Sequence, residues 1–574
     1  MKKFWIVFII IAVLIGGSLG ILWRLMRSLD TGPEIDGGVL VWQIAQPYEE
    51  ERDESLVGLL VEGRYPIMRD IVFSLKRAAE DEDIQGLMLQ IQALPVDWAK
   101  VEELRQAVLA FAASGKTVVA YLEGAGTKEY SLAMAADSIV LAPEAHLMVL
   151  GISAELSFIK NTLSKLGIQA DFVHIGRYKA APEALTREEP SAPYREMMEA
   201  IVEDRYHKLV DMIAKGRDVT AEQAEAWINN GIYDAPGALA AGLVDTILCK
   251  EEVLESLFEE DNHTDFHDYL MTRKRGRAAG KVAMIYTTGT IAPGETRRDK
   301  LQGKVAGSET VIEHLRSARK DDSIDAVVLR VDSPGGSALA SDLIWNEVER
   351  LQQEKPVIVS MSGYAASGGY YISCGADSIF AEPGTLTGSI GVFAGKVDMK
   401  GFYDKIGVQR EFITRGENAL LFGNNALFTK AQRQRLTSLL DDFYERFLAK
   451  VAKGRDLDLA QVAAVAEGRV WTGSQAQQNK LVDGLGGMDR ALDAAKCMVG
   501  LQPSDKVAVV SYERQLTFFE RLLLRSLHEA TRTAALSFPA LSILTELGRD
   551  GDLAAVPFLD GQTVAMLPFR IHFR

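Results

Sequence analysis

Apolar positions along the chain fall into three patterns. The first is one uncharged run, Phe4 to Trp23 (FWIVFIIIAVLIGGSLGILW), with Lys2 and Lys3 before it and Arg24 and Arg27 after it. At about 1.5 Å per helical residue this run reaches ~30 Å, the thickness of a bilayer's hydrocarbon core. Trp5 and Trp23 stand near its ends, where interfacial aromatics are favoured. The run exceeds the about 7–15 apolar residues of a cleaved signal peptide, and no Ala-x-Ala site follows it. It predicts an uncleaved membrane anchor at residues 1–30. The second pattern is the short continuous apolar run, such as Ala326 to Val331 and Pro356 to Met361. Such runs predict strands buried on both faces. The third is helical spacing, which predicts helices at Thr310 to Lys320, Ala338 to Gln353 and Thr429 to Lys453, with a small-residue helix at Ala366 to Gly375. Strand and helix alternate, which predicts α/β layers with right-handed crossovers.

These elements occur twice. LKRAAEDEDIQGLMLQI (Leu75 to Ile91) matches LRSARKDDSIDAVVLRV (Leu315 to Val331), and ADSIVLAP at Ala136 matches ADSIFAEP at Ala376, both 240 positions apart. FVHIG at Phe172 aligns with FITRG at Phe412 without a gap. AKGRD at Ala214 and Ala452, and LVD at Leu243 and Leu481, then hold an offset of 238. A period this long is duplication of a whole domain rather than a solenoid. The expected units are residues 35–270 and 275–515, followed by a tail at 516–574. The tail has no counterpart, and its stripe of Phe518, Leu522, Leu523 and Leu527 predicts a helix packed on the domains or on a neighbouring subunit. A second membrane contact is the alternative for that stripe.

Composition narrows the function. Of 574 residues, 63 are basic and 79 acidic, a net charge of −16 that disfavours a nucleic-acid partner. Cys249, Cys374 and Cys497 lie far apart, with no metal-ligand spacing to histidine, so neither a disulfide framework nor a zinc site is expected. No Walker or GxGxxG pattern is present, and no cofactor is expected.

The chemistry lies where the two copies differ. The second copy has VDSPGGS (Val331 to Ser337) and SGYAASGGYY (Ser362 to Tyr371), where the first has IQALPVD and LEGAGTKEY. Thr127, Lys128 and Glu129 therefore stand opposite Ser367, Gly368 and Gly369, and Lys179 stands opposite Ala419. Ser367 falls where a strand ends and a helix begins, a place rich in free backbone N–H groups suited to an oxyanion. Gly335 and Gly336 offer further N–H donors from the preceding loop. A serine among small residues is by itself an ordinary helix cap, and a lone lysine is an ordinary surface charge. No histidine adjoins the glycine-rich turns of the second copy, and His174 falls on a predicted strand with a structural role. A lysine can serve as base if burial lowers its pKa, and Lys179 in GRYKAAPEA has unusually uncharged neighbours.

DSPGGS, AASGGYY, LTGSIGVF (Leu386 to Phe393), GRYKAA, and VWTGSQA ahead of LVDGLGG occur together and in order. On these motifs the chain resembles the signal peptide peptidase A (protease IV) family of the long, duplicated bacterial type, over nearly its whole length. The resemblance implies a tandem duplication of a crotonase/Clp-protease-like α/β domain behind one transmembrane helix. It implies a Ser/Lys dyad, with Ser367 as nucleophile, Lys179 as general base and Ser389 holding the lysine. Gly368, with Gly335 or Gly336, would form the oxyanion hole, and no metal takes part. It further implies a bowl-shaped homotetramer on the periplasmic side of a bacterial inner membrane, lipid contact through the anchor, and remnant signal peptides as substrates. The rival readings are a crotonase-like acyl-CoA lyase or hydratase and a non-catalytic membrane scaffold.

Overall fold

The computed structural model describes residues 37–52, 66–257, 262–272, 278–299, 303–512 and 564–566. The apolar run Phe4 to Trp23 and the stripe Phe518 to Leu527 lie outside the described residues. Among the described residues no helix is long and apolar enough to cross a membrane.

Two parallel sheets share one strand order. In the first copy the order is Thr246–Ile247, Ser138–Leu141, Thr117–Leu122, Ile84–Ile91, Gly38–Ile44 and His263–Asp265. In the second it is Gly484–Leu485, Ser378–Ala381, Val357–Ala366, Ala326–Ser333, Gly280–Thr288 and Val507–Ser511. The central strands are buried almost throughout because helices cover them, as continuous apolar runs require. The second sheet also carries Leu386–Gly388, paired in parallel with Tyr364–Ala366, and Val470–Thr472 antiparallel to it.

The copies share one interior. Helix Trp98–Ala112 of the first packs on strand Val357–Ala366 of the second, and one apolar cluster holds Leu104, Val328, Ile358 and Met488 together. Within that interface Arg330 is fully buried. Its Nε donates to Glu50 Oε2 at 2.8 Å and its Nη1 to Ser360 Oγ at 2.7 Å, and Glu103 also pairs with it. Burial works against ionised Glu50, but Arg330 and Lys100 outweigh it and hold the carboxyl down at about 2. A buried charge left unpaired would cost several kcal/mol, so this network ties the two copies in one arrangement.

A third sheet crosses between the copies. Its order is Arg297–Asp299, Gly303–Gly307, Thr290–Ala292, Gly335–Ser337, Val564–Met566, Val392–Asp398 and Gln169–Ile175. The last two strands, one from each copy, run antiparallel from Val392 opposite Ile175 to Asp398 opposite Gln169. His174 lies exposed on this strand with Nδ1 at 3.1 Å from Gly176 O.

Three elements depart from the sequence pattern. The strand expected at Pro356 to Met361 continues to Ala366, because pairing with Leu386–Gly388 prolongs it through small residues. The helix expected from Ala366 therefore starts at Gly368. Phe412 to Gly416 aligns with a strand of the first copy yet forms none, since it has no partner strand among the described residues.

Candidate active site

Ser367 occupies the turn between strand Val357–Ala366 and helix Gly368–Ser373. Its backbone has φ 56° and ψ −108°, a conformation costing on the order of 1–3 kcal/mol for a residue with a Cβ. The surroundings hold it there. Its N–H donates to Gly388 O at 2.8 Å, and its C=O accepts from Tyr371 N at 2.8 Å. The strained turn directs Oγ towards Lys179 of the other copy, in the same chain. Lys179 Nζ lies 2.7 Å from Ser367 Oγ, 2.9 Å from Ser389 Oγ and 3.0 Å from Ser389 O.

Lys179 is 1% exposed. Burial pushes its pKa well below the usual lysine value of 10.5, and among the described residues no carboxylate is placed to oppose that. The three contacts suit a neutral amine. Two N–H groups donate to Ser389 O and Ser389 Oγ, leaving the lone pair to accept from the Ser367 hydroxyl. A serine activated by a desolvated amine is the arrangement needed for nucleophilic acyl transfer.

Lysine placement depends on a loop that sequence motifs did not single out. Tyr178 N–H donates to Glu467 O at 2.9 Å, and Gly468 N–H donates to Ile390 O at 2.7 Å. Gly468 has φ 78°, and a Cβ there would fall 2.6 Å from both the backbone N and the Cβ of Lys179. The Tyr178 ring is held under the Arg469 guanidinium at 4.7 Å, and its hydroxyl reaches both Glu196 oxygens at 3.1 Å. Only the glycine in AEGRV hinted at this close approach.

Gly368 opens the helix after Ser367, so its N–H belongs to the unpaired first turn. Gly335 has φ 101°, and its N–H donates to Ser333 Oγ at 3.1 Å, a bond an incoming oxyanion would have to replace. Gly336 packs so closely that a Cβ would fall 2.0 Å from Ile291 O. The loop is steadied from the first copy. Lys100 Nζ pairs with Asp332 Oδ2 at 3.0 Å, while Asp332 Oδ1 accepts from Tyr364 N at 3.1 Å. Burial would lower the Lys100 pKa, but Asp332, Asp97 and Glu50 raise it well above the ordinary value. The chain thus sets two buried lysines of opposite character near one turn. Among the described residues no group of three or more His, Cys, Asp or Glu could hold a metal ion.

Comparison with known proteins covers both halves. Residues 110–264 and 349–502 each match Peptidase family S49, and residues 298–385 match Clp protease. The serine protease SPPA of Arabidopsis thaliana, described as chloroplastic, is 35% identical over 78% of this chain and 68% of its own length. Protease 4 of Haemophilus influenzae is 33% identical over 77% of this chain and 75% of its own. Protease 4 of Salmonella typhi is 32% identical over 74% and 71%. One matched region contains Lys179 and the other contains Ser367 and Ser389. With relatives followed along more than two thirds of their length, this chain belongs to peptidase family S49 and is a serine protease.

Proposed function

We propose that the protein is an endopeptidase working through a Ser367/Lys179 dyad. The observation that carries this reading is a fully buried lysine, with no carboxylate partner among the described residues, 2.7 Å from a serine in a strained strand-to-helix turn. Neutral Lys179 takes the Ser367 proton as Oγ attacks a peptide carbonyl. Gly368 N–H, with that of Gly335 or Gly336, faces the oxyanion. The lysine ammonium then protonates the leaving amine, and a water deprotonated by the same amine hydrolyses the ester. Ser389 keeps the amine aimed through both of its oxygens.

The substrates in this reading are cleaved signal peptides and other short hydrophobic peptides, bound extended as an added strand. The run Phe4 to Trp23 anchors the protein in a bacterial inner membrane with the peptidase on the periplasmic side. A homotetramer with inward-facing sites belongs to the same reading. Units at 35–270 and 275–515 divide the labour, the first supplying the base and the second the nucleophile.

A fluorophosphonate probe and a chromogenic hydrophobic peptide test the dyad together. Wild type is expected to be labelled and active, and Ser367→Ala neither. Lys179→Ala is expected to lose both labelling and hydrolysis while keeping its melting temperature within a few degrees. Persistent labelling of Lys179→Ala would overturn the assignment of the base.

A further inference from the structure

The strand that leads to Ser367 is interrupted just before it. Val331 of strand Ala326–Ser333 stands opposite Met361 of strand Val357–Ala366, and Ser333 stands opposite Ala365. Asp332 alone therefore faces Ser362, Gly363 and Tyr364. Such a bulge bends a strand and takes backbone N–H groups out of the ladder, so other groups have to hold it. Here carboxylates hold it. Tyr364 N–H donates to Asp332 Oδ1 at 3.1 Å, and Ser362 Oγ donates to Glu50 Oε1 at 2.5 Å. Gly363 lies against the Asp97 carboxylate, where a Cβ would fall 2.7 Å from Oδ2.

All three carboxylates meet at one buried amine. Lys100 Nζ lies 3.0 Å from Asp332 Oδ2, 3.4 Å from Asp97 Oδ2 and 3.7 Å from Glu50 Oε1. Carboxylates crowded together away from water stay ionised only beside a cation. Arg330 serves Glu50 from its other side, but Lys100 is the cation that all three share. The arrangement is divided between the copies. Lys100 stands in the first turn of helix Trp98–Ala112, and its counterpart 240 positions later is Ala340, in helix Ala338–Gln352. The counterpart of Asp332 is Gln92, so neither copy alone holds the pair. Asp332 opens the loop that carries Gly335 and Gly336, and its C=O accepts from Gly289 N at 2.9 Å. Past the bulge, Tyr364–Ala366 pair with Leu386–Gly388 and deliver Ser367.

We infer that Lys100 is a positioning residue of the active site: through Asp332, Asp97 and Glu50 it holds the bulge Ser362–Tyr364 and the loop Ser333–Gly336, and so keeps Ser367 and the oxyanion donors in register. The inference rests on the proposed Ser367/Lys179 dyad. Lys100 makes and breaks no bond. Without its charge the carboxylates repel one another or take up a proton, the bulge relaxes, and the N–H groups leave the place where the oxyanion forms. The loss therefore falls on the tetrahedral stage rather than on binding of the uncut peptide.

Lys100→Met, Asp332→Asn and the double variant test this. Active sites are counted by fluorophosphonate labelling taken to its end point, and rates are given per labelled site. Each single variant is expected to lower kcat for the reporter peptide about 10- to 100-fold, with KM within about 2-fold of wild type. A peptide aldehyde, which forms a tetrahedral adduct with a serine, is expected to lose affinity by the same factor as kcat/KM. The double variant is expected to fall no more than about 3-fold below the weaker single variant, because the lysine acts through the aspartate. A role in stability alone would lower the melting temperature and the number of labelled sites while leaving kcat per site at the wild-type value, and that outcome would overturn the inference. Losses that multiply in the double variant would overturn it too. If Lys100→Met yields no labelled sites, Asp332→Asn decides, and wild-type kcat per site in that variant overturns the inference. Lys179→Ala, run alongside, reports on the dyad separately: its loss of labelling leaves the dyad standing whatever Lys100 does.

Discussion

The two copies turn the chain at one equivalent place and use it differently. In the first, strand Thr117–Leu122 leads through Gly126, at φ −90°, into helix Thr127–Ala133. The side chains of Thr127, Lys128 and Glu129 are all bonded within the chain itself. Thr127 Oγ1 accepts from Leu150 N at 3.1 Å, and the Glu129 carboxylate accepts from Leu94 N at 2.8 Å and Gly126 N at 3.1 Å. Lys128 Nζ is bound to Val96 O at 2.8 Å. In the second copy Gly368 and Gly369 replace the lysine and the glutamate, and Ser367 takes a positive φ. The first turn is relaxed and closed. The second keeps strain and an uncovered helix start, which a substrate carbonyl can use. Duplication let one copy keep the fold's ordinary turn while contributing Lys179 to the other. Ala419, opposite that lysine, sits in an exposed turn.

The largest way to break this division is to remove Lys179, the base of the proposed dyad. Lys179→Met is expected to lower kcat for the reporter peptide by about 10³-fold or more, the scale seen when one member of a catalytic unit is lost. The same residue predicts a pH signature. Burial holds the folded amine's pKa well below 10.5, so between that lowered pKa and 10.5 the unfolded chain binds more protons than the folded one. Stability from this group therefore rises with pH across that window, and the burial penalty is full below it. Activity rises through the lowered pKa for the same reason. Urea melts at several pH values should show wild type gaining stability relative to Lys179→Met as pH increases towards 10.5. A constant difference would mean that Lys179 is charged in the folded state.

A smaller effect sharpens how the second copy receives that lysine. Gly468→Ala places a Cβ against the Lys179 backbone, at φ 78°. Gly407→Ala is the matched control, since Gly407 has φ 75° and a Cβ there meets nothing within 4 Å. Both bear the cost of a left-handed alanine, about 1–2 kcal/mol. Only Gly468→Ala is expected to lower kcat, by about 10- to 100-fold, because a 1 Å displacement of the proposed base is enough. Equal losses in the two variants would assign the effect to backbone strain alone.

The strands, the duplication and the Ser367/Lys179 mismatch were legible because each leaves a local or periodic trace. Continuous apolar runs mark strands such as Ala326–Ser333, and a constant offset exposes positions where two copies differ. The positive φ of Ser367 was not legible, since nothing about a serine announces it. Nor were Gly468 against Lys179, Lys100 on Asp332, or Glu50 on Arg330, which join residues more than 200 positions apart. The strand Val564–Met566 was hidden for a further reason. Three apolar residues in a tail without a repeat partner carry no periodicity, and only pairing with Gly335–Ser337 makes them a strand.

The smallest expected effect falls on the closed turn, and it is the most demanding test of the comparison. Thr127→Ser removes one methyl and keeps the hydroxyl that accepts from Leu150 N. The expected cost is about 0.5–1.5 kcal/mol of stability, with reporter hydrolysis within about 2-fold of wild type. If side-chain identity alone made Ser367 reactive, Thr127→Ser would gain reactivity at the equivalent turn. The geometry argues otherwise. Residue 127 opens a helix rather than sitting at a strained cap, Glu129 already takes the N–H groups of Leu94 and Gly126, and Lys179 is held at Ser389 in the other copy's site. Thr127→Ser in a Ser367→Ala background should therefore stay unlabelled by the fluorophosphonate. Labelling would show that the first turn is competent after all, and that the copies differ in one residue rather than in how the backbone around it is held.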